Sequence, residues 1–231
     1  EQGHEIGNHS WTHHFNLASL SYENLYEEIT KSHDLISETI GKEPKGFIAP
    51  TWCSSKQMLS ILSTKNYLYD TSSFNSLFLY PLAIKIALNH IPNWKKTFGI
   101  LNRRDWLDPI LKPSKPYLVD SFGNLSNSEK GRLIVLPMPR TSLFSPAIWH
   151  TIGFIFGWDF LEKKLNKLLK SNSSLYYLIH PADFLSSEDE DQRYEHYLER
   201  MDTPLDKKLG NLENVFEILS SSNRKFVTME T

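Results

Sequence analysis

Apolar positions along this chain fall alternately into helical stripes and short continuous runs. From Ser21 to Ile40, residues Leu25, Ile29, Leu35, Ile36 and Ile40 trace an approximate helical stripe, opened by Ser21 with Asn24 and closed by Gly41. Lys45 to Pro50 then predicts a short buried strand running into a proline-containing loop. Ser54 to Thr64 predicts a second helix with Met58, Leu59 and Leu62 on one face, and Tyr67 to Ser73 a second strand and loop. Strand, helix and strand in this order imply parallel strands with covering helices. Leu133 to Pro139 predicts a buried strand closed by prolines, Trp149–Phe156 and Phe160–Leu169 two helical segments, and Leu175–Ile179 another buried strand that delivers His180 and Pro181. A polar, acidic loop follows from Ser186 to Gln192. Leu205–Leu219 predicts the last helix and Lys225–Met229 a terminal strand.

The stretch from Ser76 to Lys115 breaks the rhythm. Leu77 to Leu88 is strongly apolar around a lone Lys85, and Pro92–Lys96 and Arg103–Trp106 follow. It reads as an inserted helical segment, at about residues 76–115, within one domain spanning 1–231. Its apolar and basic residues allow contact with a membrane surface, although a helix packed on its own domain is the simpler expectation.

Composition narrows the classes. In 231 residues, 40% apolar, there is enough chain for a sizeable core. A formal net charge of −2 gives no electrostatic reason to expect nucleic acid. The single cysteine, Cys53, excludes an internal disulfide and a cysteine-rich zinc site. No apolar run reaches bilayer length, the polar Glu1–His4 is not a signal peptide, and the compartment stays open.

The chemistry concentrates at strand ends. His9 and His13 lie four positions apart in Gly7-Asn8-His9-Ser10-Trp11-Thr12-His13, after a lead-in, Glu5–Asn8, that reads as a short strand. On a helical turn the two imidazoles would project from one side and could share a divalent ion. Ala49-Pro50-Thr51-Trp52, Asp70 and His180-Pro181 close three further strands, so in a barrel these ends would meet at one pocket. The remaining histidines, His4, His14, His33, His90, His150 and His196, read as structural.

In this order, the residues resemble the polysaccharide deacetylase family, the NodB-homology carbohydrate esterases. His9-Ser10-x-x-His13 resembles the second signature motif, Phe47–Trp52 the third, Tyr69–Ser73 the fourth and Leu178–Pro181 the fifth. The resemblance implies an α/β fold, a distorted (β/α) barrel, that removes acyl groups, usually N-acetyl, from a sugar or polysaccharide. It implies a divalent metal, usually zinc, held by an Asp and two His, which polarises the amide carbonyl and acidifies a water that a neighbouring Asp deprotonates. By match to the motifs, His9 and His13 would be the imidazole ligands. The Thr51 N–H, with Pro50 and Trp52 beside it, would hold the oxyanion. His180 would protonate the leaving amine, and Asp70 would orient His180, line the groove or cap a turn.

Two departures stand out. The family's first motif, a Thr-Phe-Asp-Asp type run carrying the base and third ligand, has no counterpart before His9. The chain therefore reads as a domain whose opening strands are missing, inactive by itself and a hydrolase of carbon–nitrogen bonds in full-length form. Ile48 stands where the third motif usually has Arg. The alternatives are a non-catalytic glycan-binding module of the same fold and a related hydrolase of small non-sugar amides.

Overall fold

The computed structural model describes residues 3–89, 97, 101–103, 105–127, 133–171, 174–186 and 201–230. The expected acidic loop from Ser186 to Gln192 lies, beyond Ser186, outside the described residues, as do parts of the 76–115 segment. The chain divides into two compact units: unit 1 comprises Glu1–Met138 with Val227–Thr231, and unit 2 comprises Pro139–Phe226.

In unit 1, helix α1 spans Tyr22–Ile40. The Ser21 side chain accepts from the Asn24 N–H at its start, and Gly41, at φ 72°, ends it in the left-handed conformation that favours glycine. The buried stripe differs from the expected one. Leu25 and Ile29 are buried, but Leu35 and Ile40 are exposed, and the stripe continues instead through buried His33, whose Nδ1 pairs with the Tyr67 hydroxyl at 3.0 Å. A histidine can take a core position when its ring nitrogen is satisfied there. Strand β1 (Gly46–Phe47), helix α2 (Lys56–Thr64, capped by Ser55) and strand β2 (Tyr69–Asp70) follow in the expected order. Helix α3 covers Leu79–Asn89 and a short helix α4 covers Asp108–Leu111.

Three more strands complete the sheet: β3 (Tyr117–Val119), β4 (Leu125–Ser126) and β5 (Leu133–Val135). Their order is β1-β2-β5-β3-β4. β1, β2 and β5 are parallel, while β3 runs antiparallel to both β5 and β4. The fold is thus mixed α/β. The β3–β4 hairpin had no forecast. Its turn is built by Asp120, whose carboxylate accepts the Phe122 and Asn124 N–H groups, and by Gly123 at φ 75°. β5 is also less enclosed than its all-apolar sequence suggests: Leu133 and Val135 are buried, whereas Ile134 faces the other side of the sheet, 42% exposed. The core lies between α1, α2 and one sheet face, with Leu25, Ile29, Met58, Leu62, Phe47 and Val135 among its fully enclosed members.

In unit 2, helices α5 (Thr151–Phe156), α6 (Trp158–Leu169) and α7 (Leu205–Ser220) form the main elements. α5 packs on α6, and α6 on α7. Gly157, at φ 88°, separates α5 from α6. His150 is fully buried among the rings of Phe154, Trp158, Tyr177 and Phe184 and pairs with the Tyr177 hydroxyl at 2.9 Å. The apolar run 175–179 is not a buried strand: its residues are half-buried and belong to no ladder among the described residues. The forecast terminal strand at 225–229 is likewise absent, because Phe226 and Val227 are two-thirds exposed and gain nothing by pairing there. No helix among the described residues is long and apolar enough to cross a membrane.

Candidate active site

The site in unit 1 grows from Asn8. This residue bridges Phe47 in parallel register and so extends the sheet by one position beyond β1. Its N–H donates to Gly46 O at 2.9 Å and its carbonyl accepts from the Ile48 N–H at 3.1 Å. The side chain is equally committed. Nδ2 donates to Ile29 O at 3.0 Å and to the Tyr67 hydroxyl at 2.7 Å, while Oδ1 accepts the Ser10 N–H at 2.9 Å. A buried amide satisfied from three directions is a rigid root for the loop that leaves it.

That loop carries His9 and His13, and it is not helical. Ser10 and His13 sit at φ 68° and 56°, so the expected helical turn is replaced by two left-handed residues, each costing about 1–2 kcal/mol. The rings nevertheless meet, with centroids 4.9 Å apart in an edge-to-face arrangement. The cause is tertiary. Glu28 of α1 accepts both the Thr12 N–H (3.0 Å) and the Thr12 hydroxyl (2.6 Å), pinning the bend between the two histidines. His9 Nδ1 lies 2.6 Å from the Ile48 carbonyl; a carbonyl accepts only, so Nδ1 carries the proton and Nε2 keeps its lone pair. Burial of the ring lowers the His9 pKa; the Ile48 hydrogen bond opposes this and nearby His13 adds to it. Both effects of that carbonyl suit a metal ligand: it fixes the tautomer and the orientation of the ring. Among the described residues no group of three or more His, Cys, Asp or Glu side chains is gathered around one point. His9 and His13 together fit as two donors to a divalent ion.

Beside this loop lies a tight 3-10 turn, Pro50–Trp52. Thr51 (φ 55°) and Trp52 (φ 54°) are both left-handed, an uncommon state for side chains larger than glycine. The turn is tied to the histidine loop by the Thr51 hydroxyl, which donates to Phe15 O at 2.7 Å, and by Cys53 Sγ, which donates to Asn16 Oδ1 at 3.1 Å. Burial pushes the Cys53 thiol up to about 11, so it stays a neutral donor. Within the turn, Trp52 N–H is used on Ala49 O and Cys53 N–H on Pro50 O. Proline has no N–H, which leaves Thr51 N–H as the turn's one backbone donor without an acceptor among the described residues.

Asp70 sits beneath this turn. It is fully buried, and its Oδ1 accepts from the Ser72 hydroxyl. Ser72 Oγ in turn accepts the Ala49 N–H at 2.8 Å. Burial pushes the Asp70 carboxyl up to about 7, against the pull of the Ser72 hydrogen bonds. Asp70 therefore supports the turn through Ser72. Arg103 and Asp105, which no motif marked, meet the same turn; their i, i+2 spacing carries no sequence signal. Trp11 presents a half-exposed ring on the histidine loop.

In unit 2, His180 opens the 3-10 turn Pro181–Phe184. Its partner is Asp183, which sequence reasoning passed over. The buried Asp183 carboxylate accepts the His180 N–H at 2.8 Å and the Thr151 hydroxyl at 3.0 Å, and its Oδ2 lies 3.9 Å from His180 Nδ1. A carboxylate three residues after a histidine that opens a turn was the available signal.

Residues 1–69 match the family model for polysaccharide deacetylase. Among curated proteins, the chain is 28% identical over 124 residues to a peptidoglycan deacetylase of Helicobacter pylori, covering 54% of this chain and 40% of that protein. It is 35% identical over 65 residues to the uncharacterized protein YlxY of Bacillus subtilis, covering 28% of this chain and 20% of that protein. The chain thus spans less than half the length of these relatives. A solved Mycobacterium smegmatis structure described as a polysaccharide deacetylase aligns with a TM-score of 0.37 and 19% identity, over 59% of this chain and 32% of that one.

Proposed function

We propose that this chain is part of a divalent-metal hydrolase that removes N-acetyl groups from a polysaccharide, with peptidoglycan the first substrate to test. The observation that carries the reading is the paired imidazoles, with His9 locked through Nδ1 by Ile48, docked beside a turn whose Thr51 N–H has no acceptor among the described residues. The parallel strands β1, β2 and β5 are read as part of a distorted (β/α) barrel.

In this reading His9 and His13 hold the ion, zinc being the first choice for a site of imidazole and carboxylate donors. When bound, it supplies Lewis acidity at the acyl carbonyl and makes a neighbouring water more acidic. The chain's own groups do the rest. The Thr51 N–H, fixed by its turn, donates to the oxyanion as the carbonyl carbon becomes tetrahedral. By its motif match His180 is the group that would donate a proton to the leaving amine, which would otherwise depart as an unstable anion. The Trp11 ring offers an apolar face to a sugar.

The test is acetate release by the full-length protein from N-acetylated peptidoglycan and chitooligosaccharides, with metal content measured alongside. Metal-dependent acetate release supports the reading. Metal-loaded protein that binds these glycans and releases no acetate overturns it in favour of a glycan-binding module.

A further inference from the structure

The Pro50–Trp52 turn holds two consecutive left-handed residues that its own sequence does not favour, so something outside it must hold it. Arg103 is placed to do so. This guanidinium is 4% exposed and forms a two-point pair with Asp105, Nε to Oδ1 at 2.8 Å and Nη2 to Oδ2 at 2.6 Å. The remaining donors turn to the loop: Nη1 donates to Thr51 O at 3.0 Å, with the Thr51 hydroxyl at 3.4 Å, and Nη2 donates to Trp52 O at 3.2 Å. The two carbonyls that left-handed geometry swings to one side are thus both collected by one planar fork.

We propose that Arg103, locked by Asp105, is a positioning residue that fixes the Pro50–Trp52 turn and so aims the Thr51 N–H; its catalytic consequence rests on the deacetylase reading above. Asp105 consumes the Nε–Nη2 edge of the guanidinium and sets its plane. Another edge spans two successive peptide carbonyls and so fixes the Thr51–Trp52 and Trp52–Cys53 peptide planes; the Cys53 N–H held in this way donates to Pro50 O at 3.3 Å, the carbonyl of the peptide plane that carries the Thr51 N–H. On the opposite side, Ser72 holds the Ala49 N–H, so the turn is gripped at both ends. Lysine could satisfy one carbonyl but could not bridge two while paired with Asp105.

The experiment uses the full-length protein with Arg103→Lys and with the double variant Arg103→Met/Asp105→Leu. The double variant removes both charges together, which leaves no unpaired buried ion to unfold the protein. Both are expected to lower kcat about ten- to hundredfold, the scale of a small misplacement of a reacting group, while KM stays within about threefold. Backbone amide exchange over residues 51–54 should quicken about tenfold or more, with exchange in α1 and β5 unchanged. Wild-type kcat and wild-type exchange in the double variant would overturn the proposal, as would accelerated exchange spread evenly through unit 1. If the unaltered protein releases no acetate, the deacetylase reading fails by itself, and the exchange comparison still decides whether Arg103 holds the turn.

Discussion

Asp70 offers the sharpest quantitative test of the interior. Its carboxyl is wholly buried, one oxygen bonded to Ser72 and the other, Oδ2, without a hydrogen-bond partner among the described residues. Burial raises its pKa from 3.8 to about 7. Below the unfolded value both states are protonated and the group is neutral to stability. Between the two values the unfolded chain gives up its proton while the folded chain keeps it, so stability falls as pH rises, and the loss is complete once pH passes the folded value. A separation of about three pH units at about 1.36 kcal/mol per unit sets a ceiling of about 4 kcal/mol. Asp70→Asn preserves shape and the acceptor for Ser72 but cannot ionise. Urea unfolding of both proteins at about pH 4, 6 and 8 should therefore give similar stabilities at the acid end and an advantage for Asp70→Asn of about 2–4 kcal/mol at the alkaline end. A difference that stays constant within about 0.5 kcal/mol across that range would refute the burial argument.

Other consequences follow from single side chains. His9→Ala or His13→Ala in the full-length protein should abolish tight zinc binding and acetate release together, and unchanged zinc stoichiometry by metal analysis would remove the ligand assignment. His180→Ala should leave the metal content intact while slowing turnover about 100-fold, the scale of a lost general acid; a near-normal rate would exclude it from the chemistry. Gly46→Ala should destabilise unit 1 by about 1–3 kcal/mol, because a Cβ there would lie 2.1 Å from the Tyr69 ring; a thermal midpoint equal to that of the unaltered protein would show that the ring moves aside freely.

Local chemistry made parts of this fold legible. α1 announced itself through its capping residues, since Ser21 and Gly41 act on the nearest turn of backbone, and α2 and β2 followed from apolar spacing alone. What failed depended on partners distant in sequence. The run 175–179 is as apolar as β5, yet an apolar run becomes a strand only where a neighbour offers its ladder. The β3–β4 hairpin is held by an Asp side chain folding back on its own turn, a signal spread over Asp120–Asn124 without any period. The histidine pair is the instructive case. Its proximity was anticipated from helical spacing, whereas the structure achieves it through Glu28 and two left-handed residues. Arg103 illustrates the converse: more than fifty residues from the turn it grips, it belongs to no motif.

Glu5 links the two ends of unit 1 in a way that bears on biosynthesis. Its carboxylate accepts the Met229 and Glu230 N–H groups as well as the Tyr69 hydroxyl, and Lys42 pairs with Glu230 at 2.7 Å. These partners lie 224 and 225 positions beyond Glu5, with all of unit 2 encoded between. At about 5–20 residues per second, the ribosome delivers them on the order of tens of seconds after Glu5. Unit 1 must therefore wait, with this corner unfinished, until unit 2 has been translated. Folding on the ribosome cannot run simply from first unit to second.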